Sequence, residues 1–145
     1  MHRINSIVMN APEEEIFEAA ADLERWPKFL PHYRYIHYYE KNPVRNVVKM
    51  AAIRGFIPIA WTSEQIIDRE HRQVRFKHLK AWTKGMEVVW RFQRLTSGIK
   101  VEIVHDLAFR FPSLAPFAEL IIGGVFISPI ATKTLRYMKA YVEKR

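Results

Sequence analysis

The stretch Ser128-Pro129-Ile130-Ala131-Thr132-Lys133-Thr134-Leu135-Arg136-Tyr137-Met138-Lys139-Ala140-Tyr141-Val142-Glu143-Lys144-Arg145 decides the fold. Together with Ile127, its residues Ala131, Leu135, Met138 and Val142 fall on one apolar stripe edged by Thr134 and Tyr141, while Lys133, Arg136, Lys139, Glu143 and Lys144 fall opposite. That spacing predicts a helix laying one face on a core. Ser128 reads as its N-cap and Pro129 as its first helical residue, where the missing donor of proline would be orphaned anyway. The basic last turns suit the negative end of the helix dipole, so the helix can run to the chain end. Its partner has to be a sheet.

The remaining chain supplies that sheet. Arg3 to Met9 reads as a strand, with Ile4, Ser6 and Val8 on one face. Asn10-Ala11-Pro12 opens a helix that is acidic in its first turn and buries Ile16, Phe17 and Ala20. Asp22 to Trp26 reads as a second short helix, stopped at Trp26 because a residue before proline is pushed out of helical backbone. From Tyr33 the period becomes two, which predicts strands at Tyr33–Glu40, Val44–Ile53, Ile57–Asp68, Gln73–Lys80, Met86–Leu95 and Ile99–Phe109. Short turn signals between them imply an antiparallel meander. Leu114–Ile122 reads as a short helix, broken at Gly123-Gly124 before the last helix begins. The class is α+β, one domain over residues 1–145, in the order β-α-α-β6-α.

A curled sheet of seven antiparallel strands cannot be filled along its whole length by one helix, so a cavity is expected between them. Alternation places Trp61, Ser63 and Gln65; Val74, Phe76 and His78; Met86, Val88, Trp90 and Phe92; and Ile99 through Phe109 at every second residue on the inner face. That set is mostly apolar with a few polar groups, the make-up of a small-molecule pocket. Its expected border is Trp61, Phe76, Trp90, Ile103, Leu135 and Met138.

Composition narrows the function classes. Cysteine is absent, which excludes disulfides and thiolate metal sites and suits a reducing, cytoplasmic setting. The first residues carry no apolar stretch of a signal peptide, and Leu114–Ile127 is shorter than the roughly 20 residues that cross a bilayer. The net charge of +8 comes from 23 basic residues spread over nearly every segment, so a solvated outer sheet face is favoured and no nucleic-acid partner is expected. Transient adsorption to an anionic membrane surface or to nucleic acid remains a weaker alternative. No HExxH, no pair of histidines with a carboxylate on one strand and no glycine-rich phosphate loop is found, so neither a metal nor a cofactor is expected.

Ala11-Pro12 followed by a Glu-rich helix, then Asp22-Leu23-Glu24-Arg25-Trp26-Pro27, resembles the opening of the START-like, Bet v 1-like superfamily, also called SRPBCC. Within it the likeness is greatest to bacterial aromatic polyketide aromatase/cyclases, with coenzyme-Q-binding and lipid-transfer relatives next, and it covers almost the whole chain. The resemblance implies a helix-grip fold, a long C-terminal helix held by a curved seven-stranded sheet. It also implies a pocket at Trp26, Tyr33, Trp61, Ser63, Met86, Trp90 and Thr134. Two positions depart from the cyclase pattern. Gln65 stands where those cyclases carry an arginine, and Thr134 where they carry an amide; a neutral amide lacks the fixed charge that stabilises a developing enolate.

Read without the resemblance, His78 and His105 alternate with apolar neighbours and should face the cavity as acids, bases or hydrogen-bond partners, the alternative being satisfied core histidines. Tyr33, Tyr35 and Ser63 could donate to a ligand carbonyl. Tyr33, Gln65, His78 and His105 are the catalytic candidates; His32, His37 and His71 read as loop residues without a role. Three classes follow: a cyclase, aromatase or dehydratase acting on an aromatic or poly-β-ketone compound; a non-catalytic binder of a quinone, polyketide or lipid; and a basic membrane-surface or interaction protein. The segment from Ser113 to Ile127 reads either as a gate swinging on Gly123-Gly124 or as a fixed connector.

Overall fold

The computed structural model describes residues 1–81, 83–108, 116, 118 and 120–144. Seven strands form one antiparallel sheet: β1 (His2–Met9), β2 (Tyr33–Glu40), β3 (Arg45–Arg54), β4 (Ile57–Asp68), β5 (Gln73–His78), β6 (Glu87–Leu95) and β7 (Gly98–Asp106). Their spatial order is β1-β7-β6-β5-β4-β3-β2, a meander closed at one edge by the first strand. Helices α1 (Glu13–Ala21) and α2 (Trp26–Phe29), joined by a 3₁₀ turn at Leu23–Arg25, carry the chain from the β1 edge to the β2 edge. The C-terminal helix α3 (Ser128–Glu143) buries Ala131, Thr134, Leu135, Met138 and Val142. This is the predicted helix-grip arrangement, with β2 and β4 at their expected bounds and the other strands displaced by at most three residues at an end; Phe109 lies outside the described residues.

Three local expectations are corrected. Trp26 does not end a helix: its backbone is helical (φ −53°, ψ −49°), and Pro27 sits in the first turn of α2, where a missing donor costs nothing. Ser128 is not an N-cap, because Ile127 before it is already helical (φ −64°, ψ −56°). The chain enters α3 from a π-helical run over Leu120–Ile127 that passes straight through Gly123 and Gly124. Gly123 is buried against the side chain of Arg3, which a Cβ there would overlap, and the Arg3 guanidinium reaches on to the Ser128 hydroxyl at 3.5 Å. The glycine is needed for close approach, and the serine accepts from β1 instead of capping a helix. Leu114 and Phe117 lie outside the described residues.

The way α3 is tethered explains where space is left. Asn5 donates to the Thr132 hydroxyl at 3.3 Å, Lys139 to the Val8 carbonyl at 2.7 Å, and the Asn10 amide to Glu143 at 2.7 Å. Tyr141 stacks on Phe29 of α2 with ring centres 4.1 Å apart. The helix is thereby drawn toward β1 and the short helices. Leu135, Met138 and Val142 of its C-terminal half join a core with Ile16, Phe17, Leu23 and Met9, while its N-terminal half stands off the middle strands.

Candidate functional site

The gap beneath the N-terminal half of α3 is a cavity of about 470 Å³. It falls within the roughly 300–1,000 Å³ usual for small-molecule sites. Strands β4 to β7 contribute Trp61, Phe76, His78, Val88, Trp90, Ile103 and His105, and α3 contributes Ile130, Ala131 and Thr134. Trp26 and Tyr33 form one wall, their rings 5.0 Å apart and nearly perpendicular, with Trp90 at 5.7 Å and Phe76 at 6.4 Å from Trp26. Trp61 stacks on His78 at 5.8 Å, with planes 6° apart. The Trp26 indole N–H is already spent on the Ala19 carbonyl at 2.9 Å, so this ring offers a ligand only its face.

Polar atoms are few and neutral. His78 Nδ1 pairs with the Thr83 hydroxyl at 2.8 Å, and burial holds the imidazole down at about 3, helped by His105 nearby. His105 is held down to about 4, again by burial, which Asp106 partly opposes; its Nδ1 is sealed from solvent without a hydrogen-bond partner. The Tyr33 phenol is pushed far up by complete burial, so it stays a hydroxyl donor. No Lys, Arg, Asp or Glu lines the cavity among the described residues, and those residues hold no cluster able to bind a metal ion.

Several predicted residues stand elsewhere. Gln65 is fully buried, but its amide donates to the Ala21 carbonyl at 2.9 Å and accepts from Asn46 at 2.8 Å, tying α1 to the sheet away from the cavity. Ser63, Leu135 and Met138 are buried behind the lining rather than in it. Trp26, Tyr33, Trp61, Phe76, Met86, Trp90, Ile103, Thr134, His78 and His105 do line the cavity.

His32 is the residue that sequence reasoning missed. It is 1% exposed, its Nε2 lies 2.7 Å from the Thr134 hydroxyl, and burial, with Lys133 nearby, lowers it to about 4. The Thr134 hydroxyl donates its proton to the Ile130 carbonyl at 2.8 Å, so the imidazole is the donor to Thr134 and its buried Nδ1 is the bare acceptor. Alternation could not reveal it, because His32 sits in the turn before β2 and not on a strand. A threonine on the buried stripe of the last helix, in need of a partner, was the available signal.

A profile described as polyketide cyclase / dehydrase and lipid transport matches residues 9–127. The chain belongs to this family. A candidate polyketide cyclase of Streptomyces cyaneus is 27% identical over 112 residues, covering 75% of this chain and 74% of that protein. Among solved structures, the Zhui aromatase/cyclase of a Streptomyces species superposes with a TM-score of 0.86 at 18% identity, over 100% of this chain and 94% of that one. Ginseng major latex-like protein 151 from Panax ginseng superposes with a TM-score of 0.80 at 15% identity, over 98% and 97%. These structural likenesses show that this member of the polyketide cyclase / dehydrase and lipid transport family has the helix-grip fold. Among its described residues no helix is long and apolar enough to cross a membrane.

Proposed function

We propose that the chain binds a neutral, hydrophobic aromatic or poly-β-ketone compound in this cavity and holds it for cyclisation and loss of water. The observation that carries the reading is a cavity lined by six Trp, Tyr and Phe side chains and equipped with hydrogen-bonding groups that are all uncharged. A flat ligand would lie between the Trp61–His78 stack and the Trp26–Trp90 wall. Tyr33 at one side and His78 and His105 at the other would meet its oxygens. In the reaction an imidazole takes an α-proton and the enolate carbon bonds to a ketone carbon further along. The ketone oxygen then receives a proton, and water leaves as the ring becomes aromatic. Negative charge growing on the substrate would raise the neighbouring imidazole, which burial otherwise keeps a weak base.

That same weakness favours a second reading, a carrier of a neutral quinone or lipid, since no cation is at hand to stabilise an enolate. The two separate by experiment. Native mass spectrometry of the purified chain should show a neutral compound bound, and a poly-β-ketone thioester analogue should give an aromatic product followed by its absorbance. His105→Phe keeps most of the volume of the ring and is expected to lower turnover at least about tenfold, with affinity changed several-fold at most. Binding without any turnover in the wild type would establish the carrier and remove the enzyme reading.

A further inference from the structure

The mouth of the cavity is built from three pieces: the β3–β4 hairpin with Ile59 and Ala60, the loop after β5 with Ala81 and Thr83, and the π-helical run with Ile121, Ile122 and Phe126. The Arg54 guanidinium donates to the Val125 carbonyl at 3.0 Å and fixes the hairpin beside the run. At the tip of the hairpin Gly55 adopts φ +62°, which lets the chain turn tightly and present Phe56 with 99% of its surface exposed. Ile57 at 50%, Leu120 at 64% and Val125 at 40% extend the apolar rim. A phenylalanine that touches nothing contributes no packing to the fold.

The segments that build the mouth carry charge of one sign, while the exposed acids Glu87 and Asp106 stand at the adjoining ends of β6 and β7. Residues 51–62, 79–86 and 120–136 contain Arg54, Lys80, Lys84, Lys133 and Arg136 and not one Asp or Glu, the nearest acids in sequence being Glu64, Glu87 and Glu119. Among the described residues, the ion pairs use none of these five cations. Protruding apolar side chains amid uncompensated cations are what an anionic bilayer surface takes up, the apolar tips entering the headgroup boundary and the cations meeting lipid phosphates. A protein partner would instead have to supply a pocket for a fully projecting ring.

We propose that this rim docks the chain on an anionic lipid surface with the cavity mouth facing the bilayer. The docking stands on its own; only the identity of the cargo passing through the mouth rests on the reading above. The test is sedimentation of the full chain, without ligand, with vesicles of phosphatidylcholine and of phosphatidylcholine with about one third phosphatidylserine. The expected result is binding to the anionic vesicles, lost at high salt and weakened at least about tenfold in Phe56→Asp and in Lys80→Glu/Lys84→Glu. Arg75→Glu/Lys77→Glu, on the exposed outer face of β5, should lower it far less. Circular dichroism checks that each variant is folded. No sedimentation with either vesicle, or binding that Phe56→Asp leaves intact, overturns the proposal. So does a wild-type dimer in light scattering that Phe56→Asp splits without any vesicle binding, which would assign the rim to a second copy.

Discussion

An imidazole that loses its hydration on folding resists protonation, and His32, His78 and His105 are all held down, to about 4, 3 and 4. In the unfolded chain each returns to about 6.5. Between roughly pH 6.5 and 4 the unfolded state therefore binds more protons than the folded one, and stability falls as pH is lowered through that window and is full above it. Urea midpoints measured from pH 7.5 to 4 should show this decline, and His105→Phe should make it shallower. The midpoint of that variant at pH 7.5 should change little, since the unpartnered Nδ1 gives up no hydrogen bond. An equally steep decline in the variant would mean that His105 is already solvated in the fold. At this scale the sequence is legible only where alternation rules. It places His78 and His105 on the inner face, but it treats Gln65 alike, because period two gives a face and not a partner. Gln65 belongs to α1 through the Ala21 carbonyl, a contact made across 44 positions of sequence.

The last helix, all seven strands and the first helix follow from periodicity that persists for several residues, and they are where they were expected. The exceptions are short and set by tertiary contact. Pro27 starts a four-residue helix, and the glycine pair continues one, because Arg3 from the far end of the chain needs the space at Gly123. The two glycines are correspondingly unequal. Gly123→Ala must displace the Arg3 side chain and should cost about 1–3 kcal/mol in urea unfolding. Gly124→Ala meets only a Leu120 methyl at 3.9 Å and should be neutral or stabilising by about 0.5–1 kcal/mol, as alanine suits a helix better. Equal effects at both positions would indicate a flexible hinge in which neither glycine is held.

For the whole molecule, the inference from sheet curvature to an unfilled space is the step that joins fold to function, and it depends on where α3 is tied. Its bonds to Val8, Asn5 and Asn10 and the stacking of Tyr141 lie toward β1 and α2, so the opposite flank of its first turns faces open volume. This lateral pull is invisible in the helix's own spacing, which is why Leu135 and Met138 were expected in the lining and are found in the core. The methionines report on the cavity directly. Met50 and Met86 line it, whereas Met9 and Met138 are buried in the core outside it. With the methionine methyl groups labelled by carbon-13, titration with a neutral hydroxylated naphthalene should shift Met50 and Met86 strongly and Met9 and Met138 little. Saturating shifts confined to Met1, or no saturable shift at all, would contradict a ligand cavity between sheet and helix.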